Sequence, residues 1–225
     1  MSLSYWNGAY RNQRKIWGSQ PGEAAREAAK FFDEAGISAA GKRLLDLGCG
    51  YGRDLFYLAS RWDVRAVGVD ASQQAIDIAR SEFARSRRRN MEFRCSQFQD
   101  ITDGPYDLIM AANMYQILSR EERAELCRAV KSLLAPDGLF LLSTLSVRDP
   151  EHAGKGRAVP GDPNSWVDQT FVHLSGGDEL ERDFSFLEFQ RFYEHEFLEP
   201  RAGGSTHHHI SWILIGRPVQ NGHSP

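Results

Sequence analysis

The 225-residue sequence is poor in cysteine: Cys49, Cys95 and Cys127 are odd in number, widely spaced, and form neither a CxxC pair nor a metal-ligand spacing. That set excludes a disulfide framework and fits a reducing compartment, so cytoplasmic residence is expected. No apolar run approaches the roughly 18 residues that cross a bilayer, and the opening MSLSYWNGAYRNQRKIW lacks the long apolar core of a secretion signal. Neither export nor a membrane partner is expected. An excess of positive charge is missing too: 27 Lys and Arg against 30 Asp and Glu give a formal net charge of −3, which leaves no field to hold a polyphosphate backbone. Arg85, Arg87, Arg88 and Arg89 make one local basic run, but it follows a predicted helix, where cations complement the negative end of the helix dipole. Nucleic acid is not an expected partner.

What is present is an ordinary globular composition, 41% hydrophobic and 25% charged, in a chain of single-domain length for an α/β fold. Ala25, Ala28, Ala29, Phe32 and Ala35 recur at three- and four-residue steps, the face of a helix that Gly36 would end. KRLLDLGCG reads as a buried strand entering a tight turn, with a helix from Arg53 to Ser60 behind it. RAVGVD, Arg65 to Asp70, is a second strand, and Ser72 is placed to cap a helix through Ala75, Ile76, Ala79 and Phe83. MEFRC and Tyr106 to Ala111 give two more strands. Ser119 with Glu122 is a capping-box pair opening a helix through Leu126, Val130 and Leu133, and after a break at APDG, Leu139 to Thr144 is a fifth strand. Strands alternating with helices predict a Rossmann-like, doubly wound α/β sheet. From Leu145 to Thr170 glycine, proline and polar residues take over with no strand or helix period, which predicts a long functional or mobile loop. A short helix over Asp178 to Phe184 follows. A hairpin then pairs Leu187–Phe197 with His207–Gly216 across PRAGGST, its second arm completing a seven-stranded, mostly parallel sheet as an antiparallel strand.

In DLGCGYG, glycines at 48, 50 and 52 lie between a strand and a helix, where a backbone must pass close to a ligand. The spacing departs from the GxGxxG of a dinucleotide site, and Asp46 precedes it, which argues against a pyrophosphate cradle. S-adenosylmethionine (SAM) carries an amino acid where NAD carries a diphosphate, and its ammonium needs acceptors.

Through LLDLGCGYGRD, VGVDAS, YDLIMAANMYQIL and LLAPDGLFLLSTL, in that order, the chain resembles the class I SAM-dependent methyltransferases. An aromatic segment ahead of the first helix, YWNGAYRNQRKIWG, makes it similar to the small-molecule group that includes the tellurite-resistance and thiopurine methyltransferases. The resemblance implies SAM as cofactor and S-adenosylhomocysteine (SAH) as product. It implies that the backbone of Gly48, Cys49, Gly50 and Gly52 packs on the methionine and ribose part, that Asp46 holds the ammonium, that Asp70 takes the ribose hydroxyls, and that Ala71 lines the adenine edge. The acid often found after the third strand is replaced by Ser96, Gln97 and Phe98, which would contact the adenine, with Asp100 lying farther along. Asn113 and Met114 would lie near the transferred methyl; AANMY departs from the Asn/Asp-Pro-Pro-aromatic motif of amino-directed nucleic-acid enzymes. On this reading residues 1–21 are an N-terminal lid, 22–217 the methyltransferase domain with a loop insertion at 145–170, and 218–225 a flexible tail.

Methyl transfer from a sulfonium is an in-line displacement with a good leaving group, so positioning can suffice and no catalytic residue is fixed by the sequence. Six of the seven histidines fall between His152 and His209. Strand alternation puts His207 and His209 on one face and His208 on the other. His207 and His209 would line the pocket, act as base or bind metal with His152, or would belong to a solvent-facing strand end; no metal is assigned. His152, His207, His209 and Tyr115 are the catalytic candidates, with Asp149 and Lys155 forming a polar set beside His152. Tyr5, Trp6, Tyr10 and Trp17 would either cover the cofactor, their rings facing a sulfonium cation, or only seal the first helix onto the core. The expected partner is a small-molecule acceptor, and the protein a monomer or homodimer. The alternatives are a non-catalytic SAM-binding sensor or partner protein and, more remotely, a NAD-dependent reductase.

Overall fold

The computed structural model describes residues 3–86, 88–200 and 206–220. Ten strands and six α-helices follow one another in the order α1 (Leu3–Asn12), α2 (Glu23–Ala35), β1 (Arg43–Leu47), α3 (Arg53–Arg61), β2 (Arg65–Asp70), α4 (Gln73–Arg85), β3 (Met91–Cys95), β4 (Tyr106–Ala112), α5 (Arg120–Leu133), β5 (Leu134–Leu145), β6 (Arg157–Ala158), β7 (Ser165–Val167), β8 (Phe171–His173), α6 (Gly177–Asp183), β9 (Leu187–Pro200) and β10 (Thr206–Pro218). Seven of the strands form one sheet in the order β3-β2-β1-β4-β5-β10-β9. The first five are mutually parallel, while β10 runs antiparallel to both neighbours, β5 and β9. This is the doubly wound, seven-stranded, mostly parallel sheet with an antiparallel last strand that the sequence predicts.

Strand alternation sorts the apolar residues into two cores, one on each face of the sheet. Leu44, Leu108, Met110, Leu139, Leu141, Ile213 and Ile215 pack with Ala25, Ala28 and Phe32 of α2, Leu55 and Leu58 of α3 and Ile76 of α4. Their sequence neighbours Leu45, Ile109, Ala111, Phe140, Leu142 and Leu214 pack with Leu126, Val130 and Leu133 of α5 and Leu180 of α6. The caps hold as expected. Ser72 accepts from the Ala75 amide, Ser119 and Glu122 close a reciprocal capping box, and Gly36 takes the left-handed conformation after α2. Each such cap contributes about 1 kcal/mol.

Three regions differ from the sequence expectation. The N-terminal segment opens with α1, which the sequence pattern does not predict. Strand β5 begins at Leu134 and runs through the APDG stretch, with a register shift opposite Tyr106 and Leu108. The stretch 145–170 is not without strands: β6 and β7 lie within it and, with β8 just after it, form a small antiparallel sheet, tied down by a bidentate pair between Arg123 of α5 and Asp162, both buried. The predicted PRAGGST turn lies outside the described residues from 201 to 205, as do residues 221–225 of the tail and Arg87.

Sheet order reverses around β1, with β2 on one side and β4 on the other, so the carboxyl ends of these strands open a crevice. The turns after β1, β2, β3 and β4 all meet there.

Candidate active site

A cavity of about 530 Å³ occupies this crevice. Asp46, Gly48, Cys49, Gly50, Asp70, Ala71, Ser96, Gln97, Phe98, Asn113 and Met114 line it from the strand ends. Trp6 and Trp17 line it from the N-terminal segment, and His152, His207 and His209 from the opposite end. The glycine turn is pinned beneath β2: the amides of Gly48 and Cys49 both donate to the Val69 carbonyl, at 2.8 and 3.0 Å. Gly48 and Gly50 have φ of 72° and 54°, and side chains there would run into their neighbours. An ideal Cβ on Gly48 falls 3.2 Å from Met114, and one on Gly50 falls 2.8 Å from the Tyr10 hydroxyl. Asn113 also has a left-handed φ of 55°, with its amide bound to the Ser143 carbonyl.

The charges around this end are acidic. Asp70 Oδ2 accepts from the Gly50 amide and Oδ1 from the Ser72 amide, each at 2.8 Å, which fixes the carboxylate between the two turns. Burial pushes its pKa above the usual carboxylate range, against those two amide bonds. Asp46, 2% exposed, is pushed well above that range by burial and then by the negative charges of Asp54 and Asp70. Two buried carboxylates, one of them made harder to ionise by the charge of the other, suit a site that receives positive charge.

The N-terminal segment crosses over this end. Asn7 Oδ1 accepts from the Ser72 hydroxyl at 2.7 Å; the Tyr51 hydroxyl donates to the Gly18 carbonyl at 2.6 Å; Arg53 donates to the Trp17 carbonyl at 2.6 Å; and the Gly22 amide donates to Asp54 at 2.6 Å. Tyr10 meets Tyr51 edge-on, with centroids 6.1 Å apart. Trp6 Nε1 is buried with no hydrogen-bond partner.

At the other end, β10 presents His207, His209 and Ser211 to the cavity, and β9 presents Phe197 and Glu199. His208 faces away and binds Glu196, as alternation predicts. Asp149, fully buried, is the centre of this group. Its Oδ1 lies 2.9 Å from His152 Nδ1 and its Oδ2 3.0 Å from His209 Nδ1. The amides of Glu151 and His152 donate to Oδ1 and that of Ile210 to Oδ2, each at 3.0 Å. Burial opposes ionisation of Asp149, yet these bonds hold it well below the usual range. Burial likewise opposes a charge on His209, but Asp149 and Glu199 win and lift its pKa to about 9. The two carboxylates thus favour the protonated form of His209. Ser211 is 2% exposed and its hydroxyl has no partner.

Two sequence candidates are not in the cavity wall. Tyr115 is fully buried in a short 3-10 turn, Tyr115–Ile117, and its hydroxyl donates to Asp183 at 2.6 Å on the far side of the sheet. Gly52 begins α3 and packs backward, an ideal Cβ there falling 2.7 Å from Phe93. Asp100 also lies outside the wall, as anticipated. Glu199, Ser211 and Asn7 were not singled out from the sequence. Ser211 carries on the two-residue period of His207 and His209 and was within reach of that argument; Glu199 faces His207 only through the strand pairing.

A family model described as a methyltransferase domain matches residues 44–138. The ubiquinone biosynthesis O-methyltransferase of Neisseria meningitidis serogroup C is 29% identical over 107 residues, 47% of this chain and 45% of that protein. The chain thus spans less than half the length of this curated relative. Among solved structures, a 1,6-didemethyltoxoflavin-N1-methyltransferase of Burkholderia thailandensis, with its substrate and SAH bound, superposes with a TM-score of 0.70 at 17% identity, covering 97% of this chain and 87% of that one. TehB from Haemophilus influenzae superposes with a TM-score of 0.67 at 16% identity, covering 95% and 67%. At these identities the structural likeness establishes the fold.

Proposed function

We propose that the protein, whose residues 44–138 match a methyltransferase-domain model, is a SAM-dependent enzyme that methylates a small molecule and releases SAH. One observation carries the reading: a single cavity joins the acidic glycine-turn end to the histidine end, with room for a donor and an acceptor side by side.

The residues present fit SAM. Gly48 and Gly50 hold left-handed φ with their Cβ positions crowded by Met114 and Tyr10, Asp46 and Asp70 supply buried carboxylates with no ion pair among the described residues, and Trp6 offers an unpartnered donor. Asp46 would hold the ammonium. Asp70, with acceptor capacity left after two amide bonds, would take the ribose hydroxyls. Ala71, Ser96, Gln97 and Phe98 would face the adenine, and Asn113 and Met114 the reacting centre. SAM supplies an activated methyl on a sulfonium. The chain's part would be to align the acceptor with it and exclude water, with α1 and the segment to Gly22 as a lid whose Trp6 and Tyr10 line the cavity.

His152, His207, His209 and Ser211 would hold the acceptor. His209 suits an acceptor group that takes a hydrogen bond, and Ser211 adds a hydroxyl without a partner beside it. This enclosed site suits a small molecule better than a polymer. The three unpaired cysteines accord with a reducing cytoplasm, and among the described residues no helix is long and apolar enough to cross a membrane. A monomer or homodimer would serve. Isothermal titration with SAM, SAH and NAD tests the proposal: micromolar or tighter SAH binding is expected, and NAD binding without SAH binding would overturn it. Turnover with a panel of phenols, carboxylates, thiols and amines distinguishes the enzyme from a SAM-binding sensor.

A further inference from the structure

We infer that Asp149, His152 and His209 form a binding site for a divalent transition metal at the histidine end of the cavity. One donor atom from each of the three lies within 4.8 Å of the other two. Zinc bonds to imidazole nitrogen and carboxylate oxygen are about 2.0–2.2 Å, so tetrahedral ligands sit roughly 3.3 Å apart. Asp149 lies 2.9 Å from His152 Nδ1 and 3.0 Å from His209 Nδ1, so small ring movements bring the three donors around one ion.

The carboxylate is in place before either imidazole is counted. Three backbone amides, from Glu151, His152 and Ile210, hold it, so it would not collapse when an ion replaces the protons it now shares with the rings. The rings are aligned as well, with centroids 5.5 Å apart and planes 25° from parallel. The three ligands converge from two segments, the turn after β5 and the first half of β10. Glu199, 3.5 Å from His209 Nε2, adds a second negative charge beside the site. Two imidazoles with one carboxylate suit zinc, cobalt or nickel, whereas magnesium and calcium prefer oxygen ligands. Three protein ligands leave an open position, and both histidines line the cavity. An acceptor hydroxyl or thiol would take that position and be polarised there; this last step rests on the methyl-transfer reading, while the metal site itself does not.

The test uses the full chain, stripped with a chelator and titrated with Co2+, Zn2+ and Mg2+. One equivalent of Co2+ is expected to bind with a visible absorption band, to be displaced by Zn2+, and to bind at least 100-fold more tightly than Mg2+. His152 is partly exposed, so His152→Ala is expected to fold normally and to weaken Co2+ binding at least tenfold; Asp149→Asn and His209→Gln should do the same. Absence of stoichiometric binding, or binding unchanged in His152→Ala and His209→Gln, would overturn the site. SAH binding by the stripped wild type is measured in parallel: intact SAH binding without metal binding rejects the metal site alone, and metal binding without SAH binding rejects the methyltransferase reading alone.

Discussion

The Tyr10 hydroxyl of α1 stands where a side chain on Gly50 would begin, 2.8 Å from an ideal Cβ at that position. A side chain at residue 50 would displace the Tyr10 hydroxyl from its seat on the glycine turn. Gly50→Ala adds a collision and forces a left-handed φ on alanine, a backbone cost of about 1–2 kcal/mol. SAH affinity is expected to fall about tenfold, and Tyr10→Phe, which removes the colliding oxygen, should restore part of it in the double variant. Calorimetric titration of the four proteins gives the cycle; additive losses would show that Tyr10 and Gly50 do not meet in solution.

Asp70 is tied to two amides and still has acceptor capacity toward the cavity. Asp70→Ala should weaken SAM binding by about 1–3 kcal/mol through loss of charge-assisted bonds to the ribose. Because the same change frees the Gly50 and Ser72 amides, thermal stability must be read beside affinity. Unchanged affinity would remove the ribose role from Asp70 whatever happens to the melting temperature.

How far these positions are readable from sequence differs sharply along the chain. Asp46 and Asp70 were legible because each ends a buried strand with a clear apolar run and a turn signal behind it. The small sheet β6 to β8 was not, since strands of two and three residues carry no measurable period, and its anchor, Arg123 with Asp162, joins positions 39 apart. Helix α1 was hidden for a similar reason: LSYWNGAYRN has a central glycine and no acid in its first turn, and contacts such as Asn7 with Ser72 hold it in place. Tyr115 misled because it directly follows residues that line the cavity, and only the 3-10 turn rotates it to the other face. The histidines succeeded on alternation alone, but the acid that organises them, Asp149, reaches His209 across 60 positions.

His209→Ala should lower methyl turnover at least tenfold while leaving SAH affinity within about twofold, since it lines the cavity from β10 and not from the strand-end turns proposed to hold the cofactor. His207→Ala is expected to act in the same direction with a smaller effect, because the ring contact of His207 to His209 is at 5.9 Å and Asp149 does not hold it. Steady-state kinetics with the acceptor found by the panel, alongside SAH titration, checks both. Normal turnover in both variants would return the cluster to a surface role.

Acid should unfasten the small sheet before it unfolds the large one. Asp162 and Glu179 are both held below the usual carboxylate range: burial opposes this, but Arg123 overrides it at Asp162, and His173 and Arg123 do so at Glu179. A carboxylate whose pKa is depressed on folding contributes stability above its unfolded pKa of about 4, and that contribution is lost as pH falls through the lower folded value. Hydrogen exchange in residues 157–173 is therefore expected to stay slow from pH 7 down to about 4 and to accelerate below it, ahead of β1, β2 and β4. Asp162→Ala, which leaves Arg123 buried without its bidentate partner, should cost about 3 kcal/mol locally and make the same segment exchange fast already at pH 7. Slow exchange in the variant at neutral pH would mean that the Arg123–Asp162 pair does not hold the segment against the domain.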